Sequence, residues 1–196
     1  MNYFEVFGLE RKLDIDRAAL QRAYYELSRR WHPDYQQGAS PEAQAAALDR
    51  SALVNAAYRA LRDPVARIEY LVRLEEGHEA QEGAVVKPQA PPELLEEMFE
   101  IQEGLQEAKA GGLDADGRTR LAAQRDALAA RHAEEEARLT GPLAAQWDAA
   151  APPERRAALD ACKHALATRA YLRTVLDDLN AVLDDGRESH VAHHRH

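Results

Sequence analysis

Two side chains that could take part in acid–base chemistry, the imidazole of His32 and the carboxylate of Asp34, are separated in the sequence by Pro33 alone. An imidazole next to a carboxylate is a common arrangement for proton transfer. Here no nucleophile or second acid lies nearby in the sequence, and a carboxylate on the far side of a proline cannot readily orient the ring. The tripeptide therefore suits docking on a partner better than catalysis.

The flanking sequence predicts that a loop between two helices presents this tripeptide. Proline disfavours helical geometry in the residue before it, so a helix over residues 16–31 must release His32. After the loop, Ser40 is a suitable N-cap and Pro41 a suitable first residue for a helix that runs to about Arg62. Apolar residues recur at helical spacing on both helices, so antiparallel packing would hold the tripeptide at an exposed tip. The predicted stripes contain Leu20, Ala23, Tyr24, Leu27 and Trp31 on one helix, and Ala47, Leu48, Val54, Ala57, Tyr58 and Leu61 on the other.

Arginines are concentrated on the helix that precedes the tripeptide. Helical spacing brings Arg22, Arg29 and Arg30 close to one side, with Arg17 nearby. Most charge clusters are solvated faces, but the position beside His32 favours docking on an acidic partner surface. Residues 1–76 carry a net charge of −1 and the remaining 120 residues carry −8, which gives −9 for the chain. This acidity argues against a nucleic-acid partner, because phosphate contacts need a basic footprint.

The chain divides into two helical parts, and the predicted fold is all-α. The first part, residues 1–76, consists of a short helix at residues 3–8, the helical hairpin and a fourth helix containing Ile68, Tyr70, Leu71 and Leu74. Residues 77–92 contain three prolines and two glycines without helical periodicity, so they are predicted to be a linker. Helical stretches at about 92–109, 114–139 and 153–184, with room for a short helix at 143–150, predict a three-helix bundle over residues 93–184. The His-rich tail, residues 185–196, is predicted to be disordered.

Two helices of the predicted bundle carry more apolar side chains than one packing face requires. On the first, Leu95 and Phe99 lie beside a core stripe formed by Leu94, Met98, Ile101 and Leu105. On the last, Tyr171 and Val175 lie beside a core stripe formed by Leu172, Leu176, Leu179 and Leu183. The surplus could widen the bundle interior or form an exposed patch, and such patches tend to mark partner sites. Periodicity alone slightly favours the wider interior.

Several short motifs together resemble a known family. They are Tyr3-Phe4-x-x-Phe7-Gly8-Leu9, the basic helix, His32-Pro33-Asp34, and Asn55-x-Ala57-Tyr58-x-x-Leu61-x-x-Pro64. In combination they resemble the J domain, the module that stimulates ATP hydrolysis by DnaK-type heat-shock chaperones. The continuation Arg67-Ile68-Glu69-Tyr70-Leu71, followed by a helical region of this size, resembles the HscB-type J-domain co-chaperones of iron–sulfur cluster assembly.

The resemblance implies two partners and a site for each. A DnaK-type (HscA-like) ATPase chaperone would bind the loop and the basic helix, through His32, Pro33, Asp34, Arg22, Arg29 and Arg30. In HscB-type proteins the C-terminal bundle recruits an IscU-type scaffold protein, on which clusters are assembled, through an exposed apolar patch. Matching the family's helices places Leu95, Phe99 and Tyr171 in the patch, with Glu96, Glu100 and Glu103 as its acidic rim. Glu96 stands where some relatives carry an apolar residue. The resemblance thus favours the patch over the wider interior.

Composition limits the remaining possibilities. The single cysteine, Cys162, excludes an internal disulfide and fits a reducing compartment, and one thiolate cannot supply the set that an iron–sulfur cluster normally needs. No apolar run is long enough for a membrane span, and the N-terminus lacks the basic-then-apolar pattern of a secretory signal. We therefore expect a cytoplasmic protein with no cofactor and no functional metal site, the tail histidines included. The sequence shows no N-terminal extension with paired Cys-x-x-Cys motifs, and in this respect it resembles the bacterial form of the family.

Two other functions stay open at this point. The chain could be a J-domain adaptor that recruits a different client to a general DnaK-type chaperone. An enzyme, for example a small helical hydrolase acting through His32 and Asp34, is disfavoured because no nucleophile or metal set accompanies them. We expect no turnover by the chain itself, since any ATP hydrolysis would belong to the partner chaperone.

Overall fold

The computed structural model describes residues 1–36, 38, 40–77, 95–111 and 114–192, and every regular element in these ranges is helical, as the sequence predicts. The N-terminal α-helices are α1 (Tyr3–Val6), α2 (Arg17–Arg30), α3 (Pro41–Arg62) and α4 (Pro64–Glu75), with a short 3₁₀ helix at Pro33–Gln36. The C-terminal ones are α5 (Leu95–Gly111), α6 (Ala115–Arg138), α7 (Ala144–Ala149) and α8 (Pro152–Ala192). A π-helical turn, Leu139–Leu143, lies between α6 and α7.

Side-chain caps fix the starts of the N-terminal helices. The carboxylate of Asp16 accepts hydrogen bonds from two backbone N–H groups of α2, at 2.8 and 3.1 Å. The hydroxyl of Ser40 accepts one from Ala43 at 3.3 Å, and Pro41 is the first residue of α3. These caps satisfy donors that the first turn of a helix leaves free. Both helix starts agree with the sequence prediction.

The hairpin of α2 and α3 is held by a buried apolar seam and by one aromatic pair. The ring of Tyr24 stacks on that of Tyr58 with centroids 4.0 Å apart, and the Tyr24 hydroxyl donates to Asn55 Oδ1 at 2.9 Å. The prediction that Leu48 belongs to the buried stripe of α3 is wrong, because its side chain is 60% exposed. Successive residues on a helix are about 100° apart, and it is the neighbouring Ala47 that shares the buried face. The buried residues of this seam are Leu20, Ala47, Val54, Ala57 and Leu61.

Helix α4 closes the N-terminal core against α1. Tyr3 and Tyr70 stack with centroids 4.3 Å apart, and the backbone N–H of Tyr3 donates to the Tyr70 hydroxyl at 2.8 Å. Arg67 is buried, and its guanidinium donates to the carbonyl oxygens of Leu61 and Leu13. A buried charge is costly unless it is hydrogen-bonded, so Arg67 binds together the end of α3 and the connector before α2.

The helices divide into two compact units whose boundaries differ from the predicted domains. The first unit takes Met1–Ala84 together with Leu139–Cys162, and the second takes Val85–Arg138 together with Lys163–His196. The sequence analysis had placed all of 93–184 in one bundle. Within the first unit, Trp147 of α7 is buried, and the neighbouring Asp148 accepts hydrogen bonds from two backbone N–H groups of the connector before α2. These contacts explain why Leu139–Cys162 groups with the N-terminal helices.

The second unit has a continuous apolar core supplied by α5, α6 and α8. Val175, predicted to lie beside the core stripe, is itself buried, and Tyr171 and Leu176 pack against the core while remaining partly exposed. The last helix therefore turns a wider face inward than a single stripe. The buried residues of this core are Ile101, Leu105, Leu121, Leu128, Leu172, Val175, Leu179 and Leu183.

Two predicted segments, the linker and the His-rich tail, are only partly within the described residues. Of the predicted linker, residues 77–92, only Gly77 lies within the described residues. Helix α8 continues to Ala192, whereas the sequence analysis ended it at residue 184 and predicted a disordered tail beyond. Across the described residues, no helix combines enough length and apolarity to span a lipid bilayer.

Candidate functional site

The loop of His32, Pro33 and Asp34 is a tight turn at the end of α2. The helix ends at Arg30, and Pro33, which has no N–H group to continue the helical hydrogen bonding, begins the 3₁₀ helix. The backbone N–H of Tyr35 donates to the carbonyl oxygen of His32 at 3.0 Å and closes the turn. The side chains of His32 and Asp34 are 53% and 74% exposed, so both can reach a partner without any change of fold.

Asp34 orients the imidazole of His32, contrary to the expectation that it could not do so across Pro33. The backbone N–H of Asp34 lies 3.2 Å from His32 Nδ1, and the Asp34 carboxylate oxygen Oδ2 lies 3.5 Å from the same atom. When His32 is neutral, Nδ1 can accept the backbone hydrogen bond, which leaves the proton on Nε2. When His32 is protonated, Nδ1–H faces the carboxylate instead. In both states Nε2–H remains available as a hydrogen-bond donor to a partner.

Two cation–π contacts support the base of the loop. The guanidinium of Arg50, from α3, lies 4.3 Å from the centroid of the Trp31 ring, and that of Arg30, from α2, lies 5.1 Å from it. Contacts at these distances are attractive because the ring face is electronegative. Trp31, the residue just before His32, is thereby in contact with both helices of the hairpin. Arg30 serves this support as well as being a candidate docking residue.

The outer face of α2 presents the other predicted docking arginines to solvent. Arg22 and Arg29 are exposed and lie seven residues apart, which places them on one side of the helix. The guanidinium of Arg22 lies 3.9 Å from a carboxylate oxygen of Asp16, and both side chains are more than 60% exposed. An ion pair so exposed contributes little to stability, so it does not prevent Arg22 from binding an acidic partner.

Two exposed aromatic residues that the sequence analysis did not select border the same surface. Tyr25, between Arg22 and Arg29 on the helix face, is 61% exposed, and Tyr35, directly after Asp34, is 70% exposed. The ring of Tyr35 lies edge-on to that of His32, with centroids 6.2 Å apart. Tyr25 could have been found from its position, because it is the aromatic residue of α2 that falls outside the buried stripe. Aromatic side chains at a contact surface add large apolar area at small entropic cost.

Helix α5 presents the second predicted site. Phe99 is 72% exposed, and Glu100 and Glu103 are exposed around it, whereas Ile101 and Leu105 on the opposite face are buried. The backbone of Leu95 and Glu96 is helical, but the positions of their side chains lie outside the described part of the structure. Phe99 thus lies on a face of α5 that is separate from the buried one and is accessible to a partner.

Tyr171, the third predicted patch residue, is in a different environment from Phe99. Its side chain packs against the core of α5, α6 and α8 and is only partly exposed. Burial of the ring raises the pKa of its hydroxyl. Only part of the Tyr171 side chain is therefore accessible to a partner, and its role in a patch stays a prediction.

In the described residues, no three His, Cys, Asp or Glu side chains are grouped so that they could hold a metal ion. Cys162 is a free, buried thiol whose pKa is raised, first by burial and then by the nearby charge of Asp148. A buried thiol with a raised pKa is a poor nucleophile. Cys162 is therefore a core residue and does not contribute to the surfaces described above.

Comparison with known proteins agrees with this geometry. The DnaJ domain family model matches residues 2–70. The solved structure of the chaperone HscB from Vibrio cholerae is 28% identical in sequence, with a TM-score of 0.61, and the match covers 94% of this chain and 99% of that one. The crystal structure of the human co-chaperone protein HscB is 23% identical and shares the fold, with a TM-score of 0.60 and coverage of 92% and 81%.

The helical hairpin with its His-Pro-Asp turn, matched by the DnaJ domain model, identifies residues 2–70 as a J domain. The likeness to the Vibrio cholerae structure extends through the C-terminal helices and covers nearly the whole of both chains. The chain is therefore similar to HscB co-chaperones in both its J domain and its C-terminal helices.

Proposed function

We propose that this J-domain co-chaperone stimulates the ATPase of a DnaK-type, HscA-like chaperone and delivers an IscU-type scaffold protein to it during iron–sulfur cluster assembly and transfer. The observation that carries the proposal is the exposed, oriented pair of His32 and Asp34 at the tip of the hairpin. The free, reduced Cys162 fits action in the cytoplasm. The chain itself performs no chemistry in this proposal.

At the chaperone end, α2 and the loop have different roles in binding. Arg22 and Arg29 attract an acidic surface of the chaperone, an effect that acts over about 8–10 Å at physiological salt. Once the surfaces meet, the Nε2–H of His32 and the carboxylate of Asp34 provide one donor and one acceptor within a short turn. A turn held by Trp31 and by the Tyr35 hydrogen bond loses little conformational freedom on binding, which favours affinity.

At the cargo end, α5 offers an apolar side chain surrounded by acidic ones. Phe99 would fill an apolar pocket of the scaffold protein, and Glu100 and Glu103 would face basic residues around that pocket. Leu95 and Glu96 fall on the same side of α5, one turn earlier by helical spacing, and Tyr171 would border the contact from α8. This contact uses none of the residues of the His32 loop or of α2.

The test of the chaperone end is the steady-state ATPase of a purified DnaK-type chaperone with and without this protein. His32→Gln should abolish the stimulation, because glutamine cannot reproduce the imidazole at that position. The melting temperature should stay almost unchanged, since a surface substitution usually alters stability by less than about 0.5 kcal/mol. The matched control is His164→Gln, at an exposed position of α8, which should stimulate like the wild type.

Stimulation by His32→Gln equal to that of the wild type would refute the chaperone half of the proposal. The cargo half is tested separately by capturing a purified IscU-type scaffold protein on the immobilised full-length chain. If the scaffold is not captured while ATPase stimulation is intact, the protein is instead an adaptor for a different client. ATP hydrolysis by the chain in the absence of a chaperone would contradict the assignment of the activity to the partner.

A further inference from the structure

A groove that plays no part in the proposed function lies at the opposite end of the hairpin from the His32 loop. It has a volume of about 370 Å³ and runs between the start of α2 and the junction of α3 and α4. The fourteen residues of α2 separate it from the loop by about 20 Å, at 1.5 Å per residue. The residues that line it are Arg17, Leu20, Gln21, Tyr58, Arg62, Asp63 and Pro64.

The groove combines an apolar floor with cationic walls. Leu20 is buried, and Tyr58 and Pro64 are half-buried, so the floor can accept an apolar side chain. Arg17 and Arg62 are exposed on the walls, and the guanidinium of Arg62 lies 5.9 Å from the centroid of the Tyr58 ring. A volume of this size is within the range of small ligand sites, which is roughly 300–1,000 Å³.

The single carboxylate in the groove already has a structural task. Asp63 is the N-cap of α4, and its Oδ1 accepts the backbone N–H of Ala66 at 2.8 Å. Among the described residues, no ion pair joins the guanidinium of Arg17 or Arg62 to a carboxylate. The walls of the groove therefore carry two guanidinium groups that face solvent.

The formal charges in and behind the groove balance, because three arginines, Arg17, Arg62 and Arg67, accompany three carboxylates. Buried Arg67 adds a third cation close to Arg17, and the carboxylates near it are those of Asp14, Asp63 and Asp148. Two of these three are engaged by backbone N–H groups, Asp63 as the cap of α4 and Asp148 by the connector before α2. Asp63 and Asp148 are thus directed at backbone donors, and the guanidinium groups of Arg17 and Arg62 are the donors that the groove offers to a bound carboxylate.

We propose that this groove binds an extended acidic peptide segment of a partner protein. One carboxylate of the segment lies between Arg17 and Arg62, and a neighbouring apolar side chain rests on Tyr58 and Pro64. Guanidinium groups are suited to carboxylates because their planar donors form paired hydrogen bonds. The apolar floor favours a peptide that carries both kinds of side chain over a free anion, and two arginines are too few for the phosphate footprint of a nucleic acid.

The groove adjoins the basic face of α2, which is formed by Arg22, Tyr25 and Arg29. None of these three residues lines the groove. Gln21, in the groove, donates from Nε2 to the hydroxyl of Tyr25, on the basic face, at 3.3 Å. A protein bound along α2 can therefore place an acidic segment in the groove as a second point of contact. The groove can equally bind such a segment whether or not α2 activates an ATPase, so the two proposals stand or fall separately.

The experiment measures fluorescence anisotropy of a labelled peptide of alternating glutamate and leucine, titrated with the full-length protein and with no chaperone or ATP present. The wild type should bind it, and the affinity should fall as salt is raised. Arg17→Glu with Arg62→Glu should weaken binding by about tenfold or more, because carboxylates then face the peptide. The matched control, Arg59→Glu with Arg73→Glu, changes the net charge equally at exposed positions outside the groove and should leave binding within about twofold.

Four results would overturn the proposal: no binding by the wild type, an equal loss in the control variant, equally tight binding of an all-glutamate peptide, or displacement by a short RNA at equal concentration. The third would indicate a site for anions alone, and the fourth a nucleic-acid surface. Circular dichroism checks that each variant is folded. If the glutamate variant is not, Arg17→Gln with Arg62→Gln replaces it and should still lose most of the binding.

Discussion

The carboxylate of Asp148, in α7, accepts a 2.8 Å hydrogen bond from the backbone N–H of Leu13, which lies 135 residues earlier in the chain. Its second oxygen accepts the N–H of Asp14, also at 2.8 Å, and the carbonyl oxygen of Leu13 accepts a hydrogen bond from Arg67. Side chains from α4 and α7 thus form hydrogen bonds with two backbone N–H groups and one carbonyl oxygen of the connector between α1 and α2. Because Asp16, the N-cap of α2, follows at once, these contacts also fix where the docking helix begins.

Asp148→Ala should therefore lower the free energy of unfolding by about 1.5–3 kcal/mol, since it leaves two backbone N–H groups, one of them partly buried, without their charged acceptor. Urea unfolding followed by circular dichroism measures this change. Asp49→Ala, which removes an exposed carboxylate from α3, is the control and should cost less than about 0.5 kcal/mol. An equal, small effect in the two variants would show that the contact between Asp148 and the connector contributes no stability.

Local signals allowed much of the N-terminal fold to be predicted from the sequence. Caps depend on a few adjacent residues, so Ser40 and Pro41 identified the start of α3 correctly. The bend at His32 followed from Pro33, because the constraint of proline on the preceding residue acts within two residues. The orientation of the ring by Asp34 did not follow, since it depends on the 3₁₀ geometry of the turn rather than on composition.

Non-local packing explains what could not be predicted. Periodicity shows which face of a helix is buried but not which element covers it, so nothing in the sequence paired Asp148 with Leu13. For the same reason the sequence did not show that Leu139–Cys162 would group with the N-terminal helices. The surplus apolar residues of the bundle were equally ambiguous. Val175 is in the core and Phe99 is exposed, although the sequence placed both beside a core stripe.

The basic face of α2 is expected to act through long-range charge attraction. Arg22→Glu with Arg29→Glu should weaken chaperone binding and ATPase stimulation by about tenfold or more, since both positions then repel an acidic surface. Raising the salt concentration should weaken the wild-type contact as well. Arg59→Glu with Arg73→Glu is the charge-matched control and should leave stimulation near the wild-type value. Stimulation that is insensitive to salt, or an equal loss of scaffold binding, would contradict this role.

His132 should make the stability of the second unit depend on pH. Its Nε2 is buried without a hydrogen-bond partner among the described residues, and its side chain lies near the charges of Glu136, Arg169, Arg173 and Asp177. Burial, followed by the charge of Arg169, lowers the pKa of His132 in the folded protein. The unfolded chain therefore binds a proton more readily than the folded one.

The direction of the pH dependence of stability follows from this difference in proton binding. Stability should be at its full value above the unfolded pKa of about 6.5 and should fall as the pH drops through it toward the lower folded pKa. Urea unfolding at pH 7.5 and at pH 5.5 measures the loss, and His132→Gln, which cannot take up a proton, should show a smaller loss over the same interval. Identical losses in the two proteins would show that other groups cause the pH dependence.

Phe99 and Ile101, two residues apart on α5, allow the proposed scaffold patch to be separated from the core. Phe99 is 72% exposed, so Phe99→Ala should change the free energy of unfolding by less than about 0.5 kcal/mol while weakening scaffold binding strongly. Ile101 is 1% exposed, so Ile101→Ala should cost about 2–5 kcal/mol through the cavity that it leaves.

Leu95→Ala with Phe99→Ala extends the test to the other apolar residue proposed for the patch and should abolish binding. Stimulation of the chaperone by the J domain should survive in both patch variants, whereas the additional stimulation that depends on scaffold protein should vanish. A Phe99→Ala protein that unfolds easily, or that binds scaffold with wild-type affinity, would exclude this face of α5 as the cargo site.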